Sequence, residues 1–519
     1  MNRDEMLARL DEVVEWDFAV IGGGATGLGI AIDAASRGYS TVLVERSDFA
    51  KGTSSRSTKL IHGGVRYLKQ GNIALVLESL HERGILRENA PHLVHDLPFI
   101  VPNYDWWEAP FYGIGLRLYD VLAGKHGFGP SRNLSIEETV ERIPTIETKG
   151  LRGGVIYYDG QFDDARLAIN MAQTAAEQGA ALVNYMNVTA LVKPEEFVSG
   201  LIAQDAESGR EHEIRAKVVI NATGVFTDSV RRLDNADAKP MIRPSQGVHI
   251  VLDRSFLPGD SAIMVPETDD GRVLFAIPWH GRTLVGTTDT PVDDILEEPR
   301  PFEEELEFLL KHAARYLTKD PTPRDVLSTF AGLRPLVGPT DDEDTAAISR
   351  DHTVHISRGG LVTIAGGKWT TYRKMAEDAV DQAAILAGVE VARCVTRDLH
   401  LHGHHPDAEQ FDDLAIYGSD APAIQDLLRD DPRYAECVHE GEPYRVGEVV
   451  WSVRHEMART VEDILARRTR MLLLDARRSI EMAPRVAGIM AEELGRDTAW
   501  QRDQVVAYTE LARGYIIGG

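Results

Sequence analysis

Asp17–Gly29 reads DFAVIGGGATGLG, an apolar run that breaks into glycines. Phe18 to Ile21 are continuously apolar, as a strand covered on both faces requires. Gly22 to Gly27 fit the pattern G-x-G-x-x-G, and Ile30 to Arg37 continue as a helix stopped by Gly38. Gly22 permits the tight turn, Gly24 lets the backbone approach a pyrophosphate, and Gly27 allows close helix–strand contact. Free amides and the positive end of the helix dipole attract phosphate oxygens at such a turn. Thr41 to Glu45 (TVLVE) predicts a second buried strand, completing a βαβ unit. Glu45 stands at the spacing where a carboxylate accepts from a ribose hydroxyl, with Arg46 beside it as a further contact. A bound dinucleotide is the expectation.

Two later segments repeat the strand-into-glycine pattern. Val218 to Ala222 run into Asn221-Ala222-Thr223-Gly224, and Leu361 to Ala365 run into Gly366-Gly367-Lys368-Trp369-Thr370-Thr371 ahead of a helix from Tyr372. The first motif alone does not separate FAD from NAD. The second Gly-Gly brings backbone amides to the far end of a long cofactor, which a simple two-domain nicotinamide enzyme has no use for, so FAD is expected. Helical spacing covers Ile73 to Ala90 and Asp164 to Gln178, the latter capped by Asp163 or Asp164. Short β-like runs (Gly247 to Leu252, Arg272 to Ile277, Thr283 to Thr287) fill much of residues 238–345. From 396 onward a flexible His/Asp/Gly/Pro-rich linker, Leu399 to Asp412, leads into helices over Val446 to Leu474 and Arg485 to Leu494.

The chain has 519 residues, too many for one ordinary core. Its formal net charge of -25 excludes a general nucleic-acid binder, though a few clustered arginines can still hold a small anion. Two cysteines, Cys394 and Cys437, are too few for a disulfide scaffold or a cysteine-rich metal site, and no metal is expected. The first fifteen residues lack a signal-peptide profile, and no uncharged apolar run reaches the ~18 residues that span a bilayer. A cytoplasmic protein, free or lying on a membrane, is the expectation.

Several spaced strings resemble FAD-dependent glycerol-3-phosphate dehydrogenase of the quinone-linked, aerobic type. They are Gly52 to Leu68 (GTSSRSTKLIHGGVRYL), Phe330 to Val337 (FAGLRPLV), Ala347 to Asp351 (AISRD), Ala365 to Lys374 (AGGKWTTYRK) and Trp451 to Asp475. The resemblance implies an α/β plus α+β chain. Residues 1–72, 150–237 and 346–395 would form a glutathione-reductase-like FAD-binding domain. Residues 73–149 and 238–345 would form a β-rich substrate domain, and 396–519 a C-terminal helical domain. It implies non-covalent FAD held also by Thr53, Ser54, Ser55 and Lys59 along the flavin, and by Ala222, Thr223, Gly224, Asp289, Gly366, Gly367, Lys368 and Thr370. It places Arg66, Tyr67, Arg334, Arg350 and Lys368 around glycerol 3-phosphate, with His249 and Arg334 as the catalytic residues. It further implies a membrane quinone as electron acceptor, peripheral attachment to the inner face of the cell membrane, and a homodimer if the chain oligomerises.

The residues bear on each role independently. A phosphate dianion asks for fork-shaped donors, which arginine provides and lysine provides only as a point charge. Arg66 and Arg334 stand among glycine, proline and apolar neighbours, where an isolated charge would be costly. His249 has the side chain whose neutral form takes a proton near pH 7. Read alone, it is better taken as a structural histidine, as most of the 17 must be. His62 is the candidate for a covalent flavin bond if one exists. Tyr104, Trp106, Trp107, Phe111 and Tyr112 are read either as a membrane-interface group or as packing under the helical domain. An oxygen-using glycerol-3-phosphate oxidase, an amine or amino-acid oxidase on the same fold, and a non-enzymatic flavin protein remain as alternatives.

Overall fold

The apolar runs of the opening βαβ unit pair in parallel. Strand Trp16–Ile21 lies between Thr41–Val44 and Glu211–Asn221, and helix Ala25–Ser36 packs its buried face on the same layer. A computed structural model describes residues 1–64, 72–105, 108–124, 127–268, 271–338 and 351–518. Among them the first sheet has eight strands, ordered from His352–Ile356 through Val362–Gly366, Glu211–Asn221, Trp16–Ile21 and Thr41–Val44 to Ala181–Val183. A hairpin of Met186–Val192 and Gly200–Asp205 extends it. Both sheet faces are covered, which is why the central strands carry no alternation.

The second sheet has ten described strands and builds the β-rich domain. Its centre is the long antiparallel pair Ile242–Asp253 and Val326–Val337, flanked by Arg282–Gly286 and Leu274–Trp279. Leu60–Ile61 and Gly154–Phe162 pair within this sheet, although the sequence division puts both in the nucleotide-binding segments. The string after the first βαβ unit therefore crosses from one sheet to the other.

The C-terminal region differs from the single helix read over Val446 to Leu474. Helix Val446–His455 ends, a π-helical turn covers Asp463–Arg468, and Met471–Leu474 forms a separate short helix. Burial of charge explains the break. Arg467 Nε and Arg468 Nη1 donate to Asp48 at 2.5 and 2.6 Å, and Arg468 Nη2 reaches the Glu456 carbonyl at 2.8 Å. Arg467 also meets Glu462 and Asp463, each at 2.8 Å, and Arg470 meets Asp163 at 3.0 Å. Asp48 lies three residues beyond Glu45, so this network braces the nucleotide loop from outside. Burial pushes the Asp48 carboxyl up, but the Arg468 and Arg467 guanidiniums outweigh it and hold the group below the usual carboxylate range.

The segment read as a flexible linker is tied down. His402 Nδ1 meets Glu177 at 2.5 Å and Nε2 meets Asp420 at 2.7 Å, and together they outweigh burial and push its pKa up to about 9. Leu401 is buried beside it.

Candidate functional site

At the first glycine turn, missing side chains are a packing requirement. Gly22 adopts φ +110°, and a Cβ on Gly27 would stand 1.9 Å from the Gly22 carbonyl oxygen. Helix Ala25–Ser36 begins at Gly24 without a side-chain cap, while Ser54 Oγ accepts from the Ala25 amide at 2.9 Å. Glu45 accepts from the Gly23 and Ser47 amides at 2.6 and 2.9 Å, which sets its carboxylate beside the turn. A cavity of about 360 Å³ opens there, lined by Gly22, Gly24, Glu45, Arg46, Thr53 and Ser54. Ala222, Thr223, Gly224, Gly366, Gly367 and Lys368 also reach it. The Arg46 guanidinium lies 3.9 Å from the Phe226 ring centroid and 3.5 Å from Glu297. Donors for phosphate, an acceptor for ribose and a glycine-lined passage suit FAD.

A second cavity of about 210 Å³ shares Thr53, Pro335 and Gly366 to Trp369 with the first. His249, Arg334, Lys368 and Thr370 line it. Neighbouring strands place His249 and Arg334, and the turn after strand Val362–Gly366 places Lys368 and Thr370. His249 on Ile242–Asp253 stands opposite Gly286 on one side and Phe330 on the other. Its ring stacks on Phe330 with centroids 4.8 Å apart and planes at 16°. A Cβ on Gly286 would fall 2.1 Å from His249 Cδ2, so glycine there makes the room the ring occupies. His249 Nε2 lies 3.0 Å from Thr58 Oγ1, and Nδ1 is buried with no partner among the described residues. Burial, then the charges of Lys59 and Arg334, hold its pKa well below the usual histidine value, so the ring is neutral at pH 7. Arg334 donates from Nη2 to the Thr288 carbonyl at 2.9 Å and to Thr287 Oγ1 at 3.2 Å, and from Nη1 to Asp289 at 3.2 Å. A Cβ on Gly247 would lie 2.3 Å from Arg334 Nη2. Lys368 Nζ donates to Ser79 Oγ at 3.3 Å.

Three expected flavin contacts lie outside both cavity walls. Lys59 Nζ is buried and donates to both Asp164 oxygens at 2.8 Å and to the Ser55 carbonyl at 2.7 Å. A buried ammonium needs such partners, and neither Asp164 nor Ser55 lines either cavity. Ser55 belongs to the same strut. Asp289 turns its carboxylate to Arg334 and to the Ser245 hydroxyl. Gly27 supports the turn from behind. Arg66, Tyr67 and Arg350, together with Trp106 and Trp107, fall outside the described residues. Unanticipated residues join the site: Thr58 at His249, Trp369 through Nε1 to the Ser54 carbonyl at 2.9 Å, and buried Arg56 paired with Glu298 at 2.7 Å. Thr58 and Arg56 sit inside the GTSSRSTK string, which is the one signal that could have found them.

Residues 17–373 match the family model described as FAD dependent oxidoreductase, and 362–501 match the C-terminal domain of alpha-glycerophosphate oxidase. The chain is 41% identical to the mitochondrial glycerol-3-phosphate dehydrogenase of Homo sapiens, over 99% of this chain and 75% of the human one. It is 42% identical to that of Arabidopsis thaliana, over 94% of this chain and 84% of the plant one. The solved glycerol-3-phosphate dehydrogenase from Bacillus halodurans, complexed with FAD, matches with a TM-score of 0.81 at 32% identity, covering 99% of this chain and 97% of that one. L-alpha-glycerophosphate oxidase from Mycoplasma pneumoniae, with FAD bound, shares the fold at a TM-score of 0.58 and 17% identity, over 74% of this chain and 97% of that one.

Proposed function

The chain belongs to the FAD-dependent glycerol-3-phosphate dehydrogenase family, and from that membership we propose that it oxidises sn-glycerol 3-phosphate to dihydroxyacetone phosphate. The supporting observation is the second cavity, where His249, Arg334 and Lys368 line one wall system beside Gly366 and Gly367. Bound FAD supplies the hydride acceptor for C2. Arg334 offers the phosphate a fork and Lys368 a point charge. His249 takes the C2 hydroxyl proton at Nε2: Nδ1 is buried, whereas Thr58, the neighbour of Nε2, lines the cavity. Phe330 holds the ring in place by stacking, and the substrate hydroxyl takes over from Thr58 Oγ1 as the partner of Nε2.

Replacing Arg334 by alanine removes a charge-assisted contact of about 1.5–3 kcal/mol, which corresponds to a KM for glycerol 3-phosphate raised roughly 10- to 150-fold. Steady-state turnover with a dye acceptor measures it, and glycerol itself turns over very poorly on the wild type. An unchanged KM in this variant removes Arg334 from the phosphate site.

Electrons pass on to a membrane quinone, with the protein lying on the inner face of the cell membrane. No described helix is long and apolar enough to cross a bilayer. Helices Ile73–Asn89 and Glu108–Ala123 pack together and leave Ile73, Leu77, Ile114, Leu118 and Val121 exposed, Ile114 at 72% and Val121 at 76%. A clustered apolar surface of this kind supports contact with lipid. The net charge of -25 opposes attraction to anionic headgroups, so attachment rests on apolar contact and survives high salt. In flotation with zwitterionic vesicles the wild type rises with the lipid at low and high salt, and Ile114→Asp with Val121→Asp stays below. Wild-type protein that remains wholly soluble at both salts overturns the attachment. Turnover with a soluble quinone, set against oxygen alone, separates the dehydrogenase from the oxidase reading.

A further inference from the structure

Arg334 enters the second cavity from strand Val326–Val337, directly opposite Ser245 on Ile242–Asp253. Its guanidinium does not hang free from a flexible stem. Nη2 is bonded to the Thr288 carbonyl and Thr287 Oγ1, and Nη1 to Asp289 Oδ1. The same carboxylate oxygen accepts from the Ser245 hydroxyl, and Ser245 is fully buried. The ion pair is largely covered, with side-chain exposures of 18% for Arg334 and 10% for Asp289. Gly247 completes the seat, because any Cβ there would collide with Nη2. One edge of the fork is thus clamped by three groups on the segment Thr287–Asp289, while the side chain still lines the cavity that Asp289 itself does not reach.

We propose that Asp289 is the positioning residue of the phosphate site, holding Arg334 in the orientation that meets an oxyanion. This rests on the reading of Arg334 as a phosphate ligand. An unrestrained arginine gives up rotamer freedom whenever it forms a bidentate contact. The Asp289–Ser245 clamp takes that loss at folding, before substrate arrives, so the bound dianion does not have to impose it. A residue expected at the flavin thereby becomes a specificity element for the phosphate.

Two effects of removing the carboxylate have opposite signs, which makes the proposal testable. Asp289→Asn makes the cavity more positive, and a field effect alone would tighten binding of a dianion. Loss of orientation weakens it. The expected result is a KM for glycerol 3-phosphate raised about 5- to 20-fold, at the low end of what losing the Arg334 contact outright would cost because the guanidinium stays present, with kcat changed less. FAD content and the visible spectrum remain those of the wild type. In an Arg334→Ala background, Asp289→Asn produces no further rise in KM. Ser245→Ala, which removes only the hydroxyl that orients the carboxylate, raises KM in the same direction by a smaller factor. It carries the test if Asp289→Asn does not fold. A KM that falls or stays unchanged overturns the proposal. So does loss of FAD at unchanged KM, which returns Asp289 to the flavin, or an equal KM rise with and without Arg334. If Arg334→Ala itself leaves KM unchanged, the phosphate reading fails first; if it raises KM while Asp289→Asn does not, only the positioning role fails.

Discussion

Replacement of His249 by alanine lowers single-turnover flavin reduction about 10²- to 10⁴-fold, the usual range for loss of a general base. Hydride leaves C2 readily only as the hydroxyl proton departs, so a group must accept that proton in the transition state. His249 is suited to this by its surroundings. Burial, Lys59 and Arg334 all disfavour the imidazolium, and a base acts only in its unprotonated form. Because the pKa is lowered, the rate declines with acid only below the ordinary histidine pKa of about 6.5. It is full above that value, and the variant loses this acid limb. FAD content stays normal, since His249 lines the second cavity and not the first. A variant reducing flavin within about twofold of wild type, far short of the range for a base, moves the role elsewhere. A normal rate with a lost acid limb would show that the ring only tunes a neighbour.

Arg468→Ala destabilises the protein by about 3–5 kcal/mol, the scale expected when one partner of a buried ion pair is removed. Arg468 and Asp48 are both essentially excluded from water, and two guanidiniums share that carboxylate. Losing one leaves Asp48 under-compensated and Glu456 short of a partner, where an exposed pair would cost at most about 1 kcal/mol. Since Asp48 carries a depressed pKa, the pairing contributes fully above the unfolded value of about 3.9 and is lost as pH falls through the folded one. Urea unfolding followed by flavin fluorescence and by helix content measures the effect. Both signals shift to lower urea together, because the network joins the C-terminal helices to the loop beside Glu45. A shift smaller than about 1 kcal/mol, the surface-pair value, means the cluster is solvated. Flavin release that precedes the loss of helix means the brace does not serve the nucleotide loop.

Features whose cause is local were legible from residues alone. The strand–turn–helix at Gly22 to Gly27 needs only its own glycines, and Glu45 follows at a fixed spacing, so dinucleotide binding was legible in one short stretch, while FAD over NAD needed the second glycine pair at Gly366 and Gly367. His249 and Arg334 were legible only through the resemblance, because nothing near them in the chain marks a histidine as neutral or an arginine as clamped. Lys59 shows the limit plainly. Its string runs along the expected cofactor path, but its partner is Asp164, and which way a buried ammonium turns is decided there. The Asp289 partner was illegible for the same reason, since the arginine it meets lies on another strand. The helical reading through Arg467 to Arg470 left out their partners, and pairing with Asp48 and Asp163 across the molecule overrode it. His402 stood in a composition typical of loops, and two distant carboxylates immobilise it.

Asp48 and Arg468 are separated by 420 positions. At about 5–20 residues per second, a ribosome places roughly 20–80 s between making the carboxylate and making the guanidinium that neutralises it. Throughout that interval the glycine turn can form while Asp48 has only water for company. The brace over the nucleotide loop is fitted late, and the growing chain carries its cofactor cradle unbraced until the closing arginines emerge.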